Sequence, residues 1–504
     1  MIKLNGKGLN LKTFIKASRF NEEVKIGAEQ KELVKHAREY VEHVVENEKP
    51  VYGINTGFGK LSDVPIKKED VSKLQENLLK SHACGVGLPL SDEVVRGMML
   101  LRVNALIRGY SGIRLVVLEK IVEMLNKDVC PVVFEKGSLG ASGDLAPLSH
   151  MSLPIIGLGE CHYQGQRMTS KEAFEKAGIL PLEGLKAKEG LSLINGTQCM
   201  TSIGAFVLYD AQRLVKLANV SASLTMEALH GIIDAFDDRI HQVRGHEGQI
   251  KAAKEVREIL KGSQNITRQG EERVQDAYSI RCTPQVHGAT IDALDFAKHK
   301  IEIEMNAVTD NPIIFADDDI AISAGNFHGQ PLALIFDYLG IAIAELANIS
   351  ERRLERMVNP ALSNGLPAFL VPHPGINSGF MIVQYSAASL VSENKVLAHP
   401  ASVDSIPSSA NQEDHVSMGT IGARKANEIL KNTRQVIAME IFTACQAIEF
   451  NGYTNLGVKT KKAYNKVREY IPFIEDDEIM YPHIHALNDL IASDELFDHI
   501  FMED

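Results

Sequence analysis

The chain has 504 residues, of which 45% are hydrophobic and 23% are charged, the balance of a folded globular protein rather than a disordered one. Acidic residues outnumber basic residues by 65 to 53, which gives a formal net charge of −12. This acidic balance argues against a basic nucleic-acid-binding surface and against a polybasic membrane anchor. We therefore expect neither nucleic acid nor a membrane as a partner.

Residues 1–195 show a mixed pattern of short elements. The first thirty residues contain no apolar run long enough for a signal peptide. Ser91-Asp92-Glu93 predicts a helix start, because a capping serine is followed by two acids, and Arg108-Gly109 predicts the matching end. Between residues 129 and 165, many glycines and three prolines interrupt short apolar runs, which predicts loops and turns rather than helix.

Residues 196–504 are predicted to be largely helical, because proline is absent between Pro181 and Pro284 and between Pro407 and Pro472. Apolar residues occupy most sides of four long stretches, a pattern typical of helices buried inside a bundle: 197–230, 287–306, 331–357 and 424–451. The most apolar window, 332–349, contains two acids and is predicted to be a buried helix rather than a membrane span.

These patterns predict a mainly α protein in two regions. Residues 196–504 would form a large elongated helical bundle, which suits an oligomer with long intersubunit helices. Residues 1–195 would form a smaller, mixed N-terminal region. Six cysteines lie far apart without a Cys-x-x-Cys pair, which predicts free buried thiols rather than disulfides or a zinc site, and a cytoplasmic location.

The sequence does not match three common catalytic motifs. The glycines near residue 57 do not match a phosphate-binding loop, and His241 and His246 do not match the His-Glu-x-x-His motif of zinc enzymes. Ser142 lacks the second glycine of a Gly-x-Ser-x-Gly nucleophile elbow. We therefore expect no metal site and no hydrolase triad.

The most distinctive chemistry lies in Ala141-Ser142-Gly143, within a glycine-rich segment. Gly143 has no side chain to hinder its amide nitrogen from bending back onto the Ala141 carbonyl. Ser142 has a hydroxyl that can leave as water once the backbone has cyclised. The tripeptide can therefore become a five-membered ring with an exocyclic methylene, an electrophile that no ordinary side chain supplies. The residues alone also allow an ordinary tight glycine turn.

Residues 140–148, Gly-Ala-Ser-Gly-Asp-Leu-Ala-Pro-Leu, resemble the signature of the aromatic amino-acid ammonia-lyases, whose prosthetic group is 4-methylidene-imidazole-5-one (MIO). The resemblance continues, in order, through residues 52–59, 193–197, 275–282, 325–328 and 411–415. It implies that MIO forms from Ala141, Ser142 and Gly143 without a diffusible cofactor. It also implies elimination of ammonia from an aromatic amino acid to give a trans-2-enoate.

The resemblance assigns catalytic roles to three further residues. Tyr52 would be the base that removes the β-proton, which requires conditions that favour its phenolate, since an unperturbed phenol has a pKa near 10. Asn195 would bind the MIO oxygen and the region of the substrate amine. Tyr278 would line the site and orient the reacting groups.

The resemblance also assigns substrate-binding roles. The Arg281 guanidinium would hold the substrate carboxylate in a bidentate fork. Gln275 would line the site, Phe327 would pack beside the prosthetic ring, and Gln412 would contact the substrate next to Glu413. Family members are homotetramers in which each active site collects residues from three chains, so these blocks need not meet within one monomer.

His82 and Glu413 indicate which amino acid binds. Ser81-His82 is the pattern of the histidine-specific members, where tyrosine-specific members carry His-Leu and phenylalanine-specific members carry Phe-Leu. A carboxylate and a histidine satisfy the N–H donor and the nitrogen acceptor of an imidazole, whereas a phenyl ring would leave Glu413 buried and unpaired. The resemblance therefore implies L-histidine as the substrate and trans-urocanate as the product, the first step of histidine breakdown.

Three alternatives remain open on the sequence. The nearest is a tyrosine or phenylalanine ammonia-lyase or aminomutase with the same prosthetic group and different ring contacts. A second is an MIO-free lyase of the helical fumarase type. The third is a non-catalytic helical scaffold, in which replacement of Ser142 would change no measurable property.

Overall fold

Helices account for most of the chain. A computed structural model describes residues 1–47 and 50–502, and these residues form 19 α-helices, which confirms the mainly α class. In chain order they are α1 (Leu11–Ser18), α2 (Ala28–Glu46), α3 (Val71–His82), α4 (Asp92–Leu106), α5 (Leu115–Asn126), α6 (Leu145–Ser152), α7 (Ser170–Ala177), α8 (Glu189–Ile194), α9 (Gln198–Ala228), α10 (Asp238–Arg244), α11 (Glu247–Ile259), α12 (Tyr278–Arg281), α13 (Thr283–Glu304), α14 (Gln330–Val358), α15 (Met381–Leu397), α16 (Gly419–Asn451), α17 (Val458–Arg468), α18 (Tyr481–Ala492) and α19 (Glu495–Phe501).

The strands are short and form four small sheets within the described residues. In chain order they are β1 (Ile2–Leu4), β2 (Val24–Ile26), β3 (Val86–Pro89), β4 (Cys130–Pro131), β5 (Phe134–Lys136), β6 (Glu160–Tyr163), β7 (Gln166–Thr169), β8 (Ile313–Phe315) and β9 (Ile320–Ile322). The pair β1–β2 is parallel, whereas β3–β5, β8–β9 and the three-stranded order β4-β6-β7 are antiparallel. No described strand is longer than four residues, so the sheets fix local loops and do not form a layer of the core.

The chain divides into two compact units. The first contains residues 1–206, 298–337 and 400–424, and the second contains residues 207–297, 338–399 and 425–504. Both units are therefore discontinuous in sequence. The predicted division at residue 195 stays a prediction. The pattern along the sequence gives no sign that residues 298–337 and 400–424 belong to the first unit.

The four long apolar stretches form the four longest helices, α9, α13, α14 and α16, with bounds close to those predicted. Among the described residues, α14 alone is long and apolar enough to cross a membrane, and 67% of its most apolar window is buried within the structure. That burial matches the core helix predicted for residues 332–349.

Two sequence-based predictions are wrong in part. Residues 129–165 were expected to lack helix, but they contain α6. Pro147 lies in the first turn of α6, where its missing N–H has no helical acceptor to lose, so proline does not exclude a helix here. Cys84 is exposed and Cys282 is half-buried, whereas the other four thiols are free and buried as predicted.

Two helices of the first unit carry residues of the candidate site or of its support, His82 at the end of α3 and Arg102 within α4. In α4 every residue from Val94 to Leu106 is buried, including Arg102, and Ser91 precedes its first turn as predicted. Helix α3 buries Val71, Leu78 and Leu79 on one face and ends at His82.

Candidate active site

The first unit contains a cavity of about 880 Å³ that joins most of the predicted site residues. Residues from α3, α8, the loop after Val51 and the loop before α16 line it. Seven of the predicted residues are among the lining side chains: Tyr52, His82, Ser142, Asn195, Phe327, Gln412 and Glu413. Ala141 and Gly143 flank Ser142 and are buried behind it.

The turn at Ser142 has an unusual backbone. Ser142 has φ +54° and Gly143 has φ +79°, and Gly140 pairs with Gly143 in a short antiparallel bridge. A Cβ on Gly143 would lie 2.2 Å from the carbonyl oxygen of Gly196, so no other residue fits there without movement. The turn is therefore held tightly against the Asn195-Gly196 backbone, and its central serine is in a conformation that L-residues rarely adopt.

Asp144 anchors this turn from behind. Its carboxylate is fully buried, and it accepts the Ser138 hydroxyl at 2.9 Å, the Met200 backbone N–H at 2.9 Å and the Thr420 hydroxyl. Burial raises the pKa of Asp144, and these hydrogen bonds oppose that rise. The Asp144 N–H in turn donates to the Gly196 carbonyl at 2.8 Å. The sequence motif contains Asp144 and its near neighbour Ser138, but Met200 and Thr420 are distant in the chain and were not predictable as partners.

Asn195 is fixed by its amide nitrogen and leaves its oxygen unpaired. Nδ2 donates to the Asn311 carbonyl at 3.2 Å, while Oδ1 is buried and has no hydrogen-bond partner among the described residues. The neighbouring Asp310 carboxylate forms a fully buried ion pair with Lys188 Nζ at 2.7 Å. Residues 309–311 thus support Asn195, a role for which the sequence offered no local signal.

Arg102 links the same two backbone segments. Its guanidinium is fully buried and donates to the carbonyls of Ser192 at 2.8 Å, Thr309 at 2.8 Å and Asn195 at 3.3 Å. Burial lowers the pKa of Arg102 to about 10, and the guanidinium is still charged at neutral pH. Arg102 thus holds the Asn195 backbone carbonyl, while the Asn311 carbonyl holds the Asn195 side chain.

The carboxylate of Glu413 faces Ser142. Glu413 Oε1 accepts the Ser142 hydroxyl at 3.1 Å, and Oε2 accepts the Ser408 hydroxyl at 3.1 Å. Ser408 and Glu413 also pair through their backbones, which closes the loop between them. Ser409, Ala410 and Asn411 within that loop all have positive φ, a strained run that persists because the closing pair restrains it. Ser408 was not among the predicted residues.

The two titratable rings of the cavity have shifted pKa values. Burial lowers the pKa of His82, and the backbone at Leu78 and the negative charge of Glu413 oppose this shift. The His82 ring is therefore neutral at pH 7, with one donor and one acceptor nitrogen. Burial raises the pKa of the Tyr52 phenol, the Gly59 N–H bonded to its oxygen lowers it, and the charges of Glu413 and Asp310 raise it further.

Gln275, Tyr278 and Arg281 are not among the residues that line this cavity. They lie in the second unit, at and just before α12. Tyr278 is 71% exposed, and the Arg281 guanidinium stacks on its ring at 4.5 Å from the centroid. These three predicted residues therefore belong to the second unit, whereas the seven that line the cavity belong to the first.

The geometry defines a helical protein with a strained Ala-Ser-Gly turn at the wall of a polar cavity. The sequence model of the family described as aromatic amino acid lyase matches residues 9–469, and the chain belongs to this family. The resemblance found in the motifs is thereby confirmed, and so is the predicted enzyme class, an ammonia-lyase.

The chain is similar over nearly its whole length to individual members of this family. The chain is 57% identical over 498 residues to histidine ammonia-lyase 1 of Fusobacterium nucleatum subsp. nucleatum, which covers 99% of this chain and 96% of the relative. The crystal structure of histidine ammonia-lyase from Trypanosoma cruzi matches with TM-score 0.91 and 39% identity, covering 99% and 94% of the two chains. A tyrosine aminomutase from Streptomyces globisporus matches with TM-score 0.95 and 35% identity, covering 99% and 98%. The fold alone therefore does not separate these activities.

Proposed function

We propose that the chain catalyses the non-oxidative elimination of ammonia from L-histidine to give trans-urocanate. The observation that carries this proposal is the position of Glu413 and His82 in the same cavity as Ser142, with the Glu413 carboxylate 3.1 Å from the Ser142 hydroxyl. The identity to a histidine ammonia-lyase over nearly the whole chain supports it. A phenyl ring would leave the Glu413 carboxylate without a polar partner from the substrate.

The residues of the turn fit the MIO group that the family uses. Gly143 has no space for a side chain, which keeps its amide nitrogen unhindered, and Ser142 carries the hydroxyl that would leave as water. The buried Oδ1 of Asn195 lacks a partner, although its Nδ2 is bonded. We infer that MIO forms from Ala141, Ser142 and Gly143 and that Asn195 holds it. When formed, it supplies an electrophile that makes the substrate amine a better leaving group.

Two residues would bind the imidazole ring of the substrate. The neutral His82 ring can donate to or accept from a ring nitrogen, and the Glu413 carboxylate can accept a ring N–H. The Ser408 hydroxyl, bonded to Glu413 Oε2, leaves Oε1 directed at the cavity. A site built from such polar groups discriminates strongly against substrates that lack them.

Tyr52 would take the β-proton of the substrate. Only its phenolate can act as a base, and burial together with the negative charges nearby disfavours the phenolate. The fraction of active enzyme therefore rises with pH, and we infer an optimum on the basic side of neutrality.

We also propose a homotetramer with shared active sites. Leu334, Tyr338 and Ile341 form an exposed apolar stripe on α14, and they are 54%, 46% and 43% exposed. Another copy of the chain would cover such a stripe, and other copies would bring Gln275, Tyr278 and Arg281 to the cavity. Activity should then disappear on dilution to monomers, and a fully active monomer would contradict this arrangement. The cytoplasmic location stays a prediction.

Urocanate formation from histidine, followed by its ultraviolet absorbance, tests the substrate. Tyrosine and phenylalanine should give no product under the same conditions. If histidine gives none while tyrosine or phenylalanine does, the within-family alternative is correct. The intact mass should show a deficit of two waters, localised to residues 141–143; its absence would refute MIO formation and favour the MIO-free alternative. Ser142→Ala should abolish activity with the fold retained, an outcome that a non-catalytic scaffold does not predict.

A further inference from the structure

Asp276 lies five residues before Arg281, the residue predicted to bind the substrate carboxylate, and its own carboxylate is buried. Only 4% of its side chain is exposed. Oδ2 accepts the backbone N–H of Ile232 at 2.6 Å, and Oδ1 accepts Arg273 Nε at 3.2 Å and Nη2 at 2.9 Å. Both carboxylate oxygens are therefore engaged in bonds within the second unit, and neither is directed at a ligand.

Arg273, which is bonded to Asp276, also connects this segment to the turn after α9. Arg273 Nη2 also donates to the carbonyls of His230 at 2.7 Å and Leu229 at 3.1 Å. These carbonyls belong to the turn that follows α9, the long helix ending at Ala228. Hydrogen bonds to charged groups are stronger than those between neutral groups, so several such bonds fix the segment before α12 to the end of a long helix.

Arg281 is attached to Asp276 in turn. Its Nε donates to the Asp276 backbone carbonyl at 2.9 Å, and its guanidinium stacks on the Tyr278 ring. Part of the rotamer entropy of the Arg281 side chain is already lost when its Nε is bonded and its guanidinium plane is fixed. The terminal nitrogens then present a preformed fork, the geometry that a carboxylate accepts in a bidentate pair.

We propose that Asp276 is a positioning residue for carboxylate recognition: it fixes the backbone that orients Arg281 and does not itself touch the substrate. This inference rests on the proposed function, because it assumes that Arg281 binds the carboxylate of histidine. Loss of the Asp276 carboxylate should weaken the binding of ligands that carry a carboxylate group. It should leave recognition of the imidazole ring unchanged.

Asp276→Asn tests the proposal, because the amide keeps the volume and one acceptor but loses the charge and the second acceptor. We expect the KM for histidine and the Ki for urocanate to rise about tenfold, the equivalent of one such hydrogen bond. The Ki for imidazole, which has no carboxylate, should not change. Glu272→Gln is the matched control: Glu272 pairs with the same Arg273 at 3.3 Å but is 47% exposed, and its replacement should change none of these constants.

A double-mutant cycle separates positioning from a general structural effect. If Asp276 acts through Arg281, then Asp276→Asn should add nothing to the KM of Arg281→Ala, whereas independent effects multiply. Three results would each overturn the proposal. They are an unchanged Ki for urocanate in a folded Asp276→Asn protein, an equal rise in the Ki for imidazole, and independent effects of the two substitutions in the cycle.

Should Asp276→Asn fail to fold, Arg273→Lys removes the guanidinium that bonds Asp276, and the same constants are measured for that variant. A wild-type protein that does not convert histidine refutes the proposed function instead.

Discussion

The carbonyl oxygen of Gly196 occupies the place that a side chain on Gly143 would need, only 2.2 Å from where its Cβ would lie. This single contact couples the Ala141-Ser142-Gly143 turn to Asn195, because Gly196 follows Asn195 in the chain. The same carbonyl accepts the Asp144 N–H at 2.8 Å. One backbone oxygen therefore sets both the position of the turn and its distance from the asparagine predicted to hold the prosthetic group.

Gly143→Ala should consequently prevent formation of MIO. The added methyl group collides with Gly196 and also meets a positive φ, which costs about 1–2 kcal/mol for an L-residue. We expect the intact mass to lack the deficit of two waters and histidine turnover to be lost. Gly165→Ala is the matched control, since Gly165 has φ +73° but an added Cβ meets nothing within 4 Å. That variant should mature fully, and a fully matured Gly143→Ala protein would show that the contact is unimportant.

Ser408→Ala should weaken recognition of the imidazole ring. The Ser408 hydroxyl donates to Glu413 Oε2 at 3.1 Å, and its removal frees the carboxylate to rotate. We expect the Ki for imidazole and the KM for histidine to rise together by about tenfold, the loss typical of one bond to a charged group. Ser408→Thr keeps the hydroxyl and should restore both constants. A rise with threonine as large as with alanine would mean that the loop backbone, not the hydroxyl, matters.

The pH profile of kcat/KM should depend on the charge of Glu413. On the proposed role of Tyr52 its phenolate is the active form, and its pKa is raised, so activity should increase as the pH rises through that pKa. Glu413→Gln removes one of the negative charges that raise the Tyr52 pKa, so the acid limb should move to lower pH even though the overall rate falls. Asp63→Asn removes another carboxylate that lines the cavity and should leave the limb in place. A limb at the same pH in Glu413→Gln would exclude Tyr52 as the group that titrates.

Lys188→Met should lower the stability of the protein. Lys188 and Asp310 form a fully buried ion pair, and removal of the lysine deprives a buried carboxylate of the cation bonded to it. Breaking such a pair costs about 3–5 kcal/mol in free energy of unfolding, which denaturant titration would measure. The control Lys186→Met changes an exposed lysine two positions earlier and should alter stability by no more than about 0.5 kcal/mol. Equal stability of the two variants would show that the Lys188–Asp310 pair does not stabilise the fold.

Features carried by neighbouring residues were predictable from the sequence. The Ala141-Ser142-Gly143 chemistry depends on three consecutive residues, and the long helices depend on apolar patterns within one stretch. His82 and Glu413 are far apart in the chain, and it was the family resemblance that assigned them to the substrate ring; both line one cavity.

Features that depend on distant contacts were not predictable. Ser408 becomes informative only once its hydroxyl is found on Glu413, and Asp310 only once it is found buried against Lys188. Helix α6 was missed because glycine and proline were weighed without knowing that Pro147 lies in the first turn. The boundaries of the two units fall mostly inside long helices, where the sequence shows no change of composition.

The attachment of Asp144 to Thr420 has a consequence for biosynthesis. The tripeptide leaves the ribosome early, whereas Thr420, Glu413 and Ser408, which complete its surroundings, are translated much later. On the proposed function, the nascent chain therefore carries Ser142 as an ordinary serine until nearly all of the first unit has been made. The reactive electrophile would arise only inside a finished cavity, where cellular thiols and amines have least access to it.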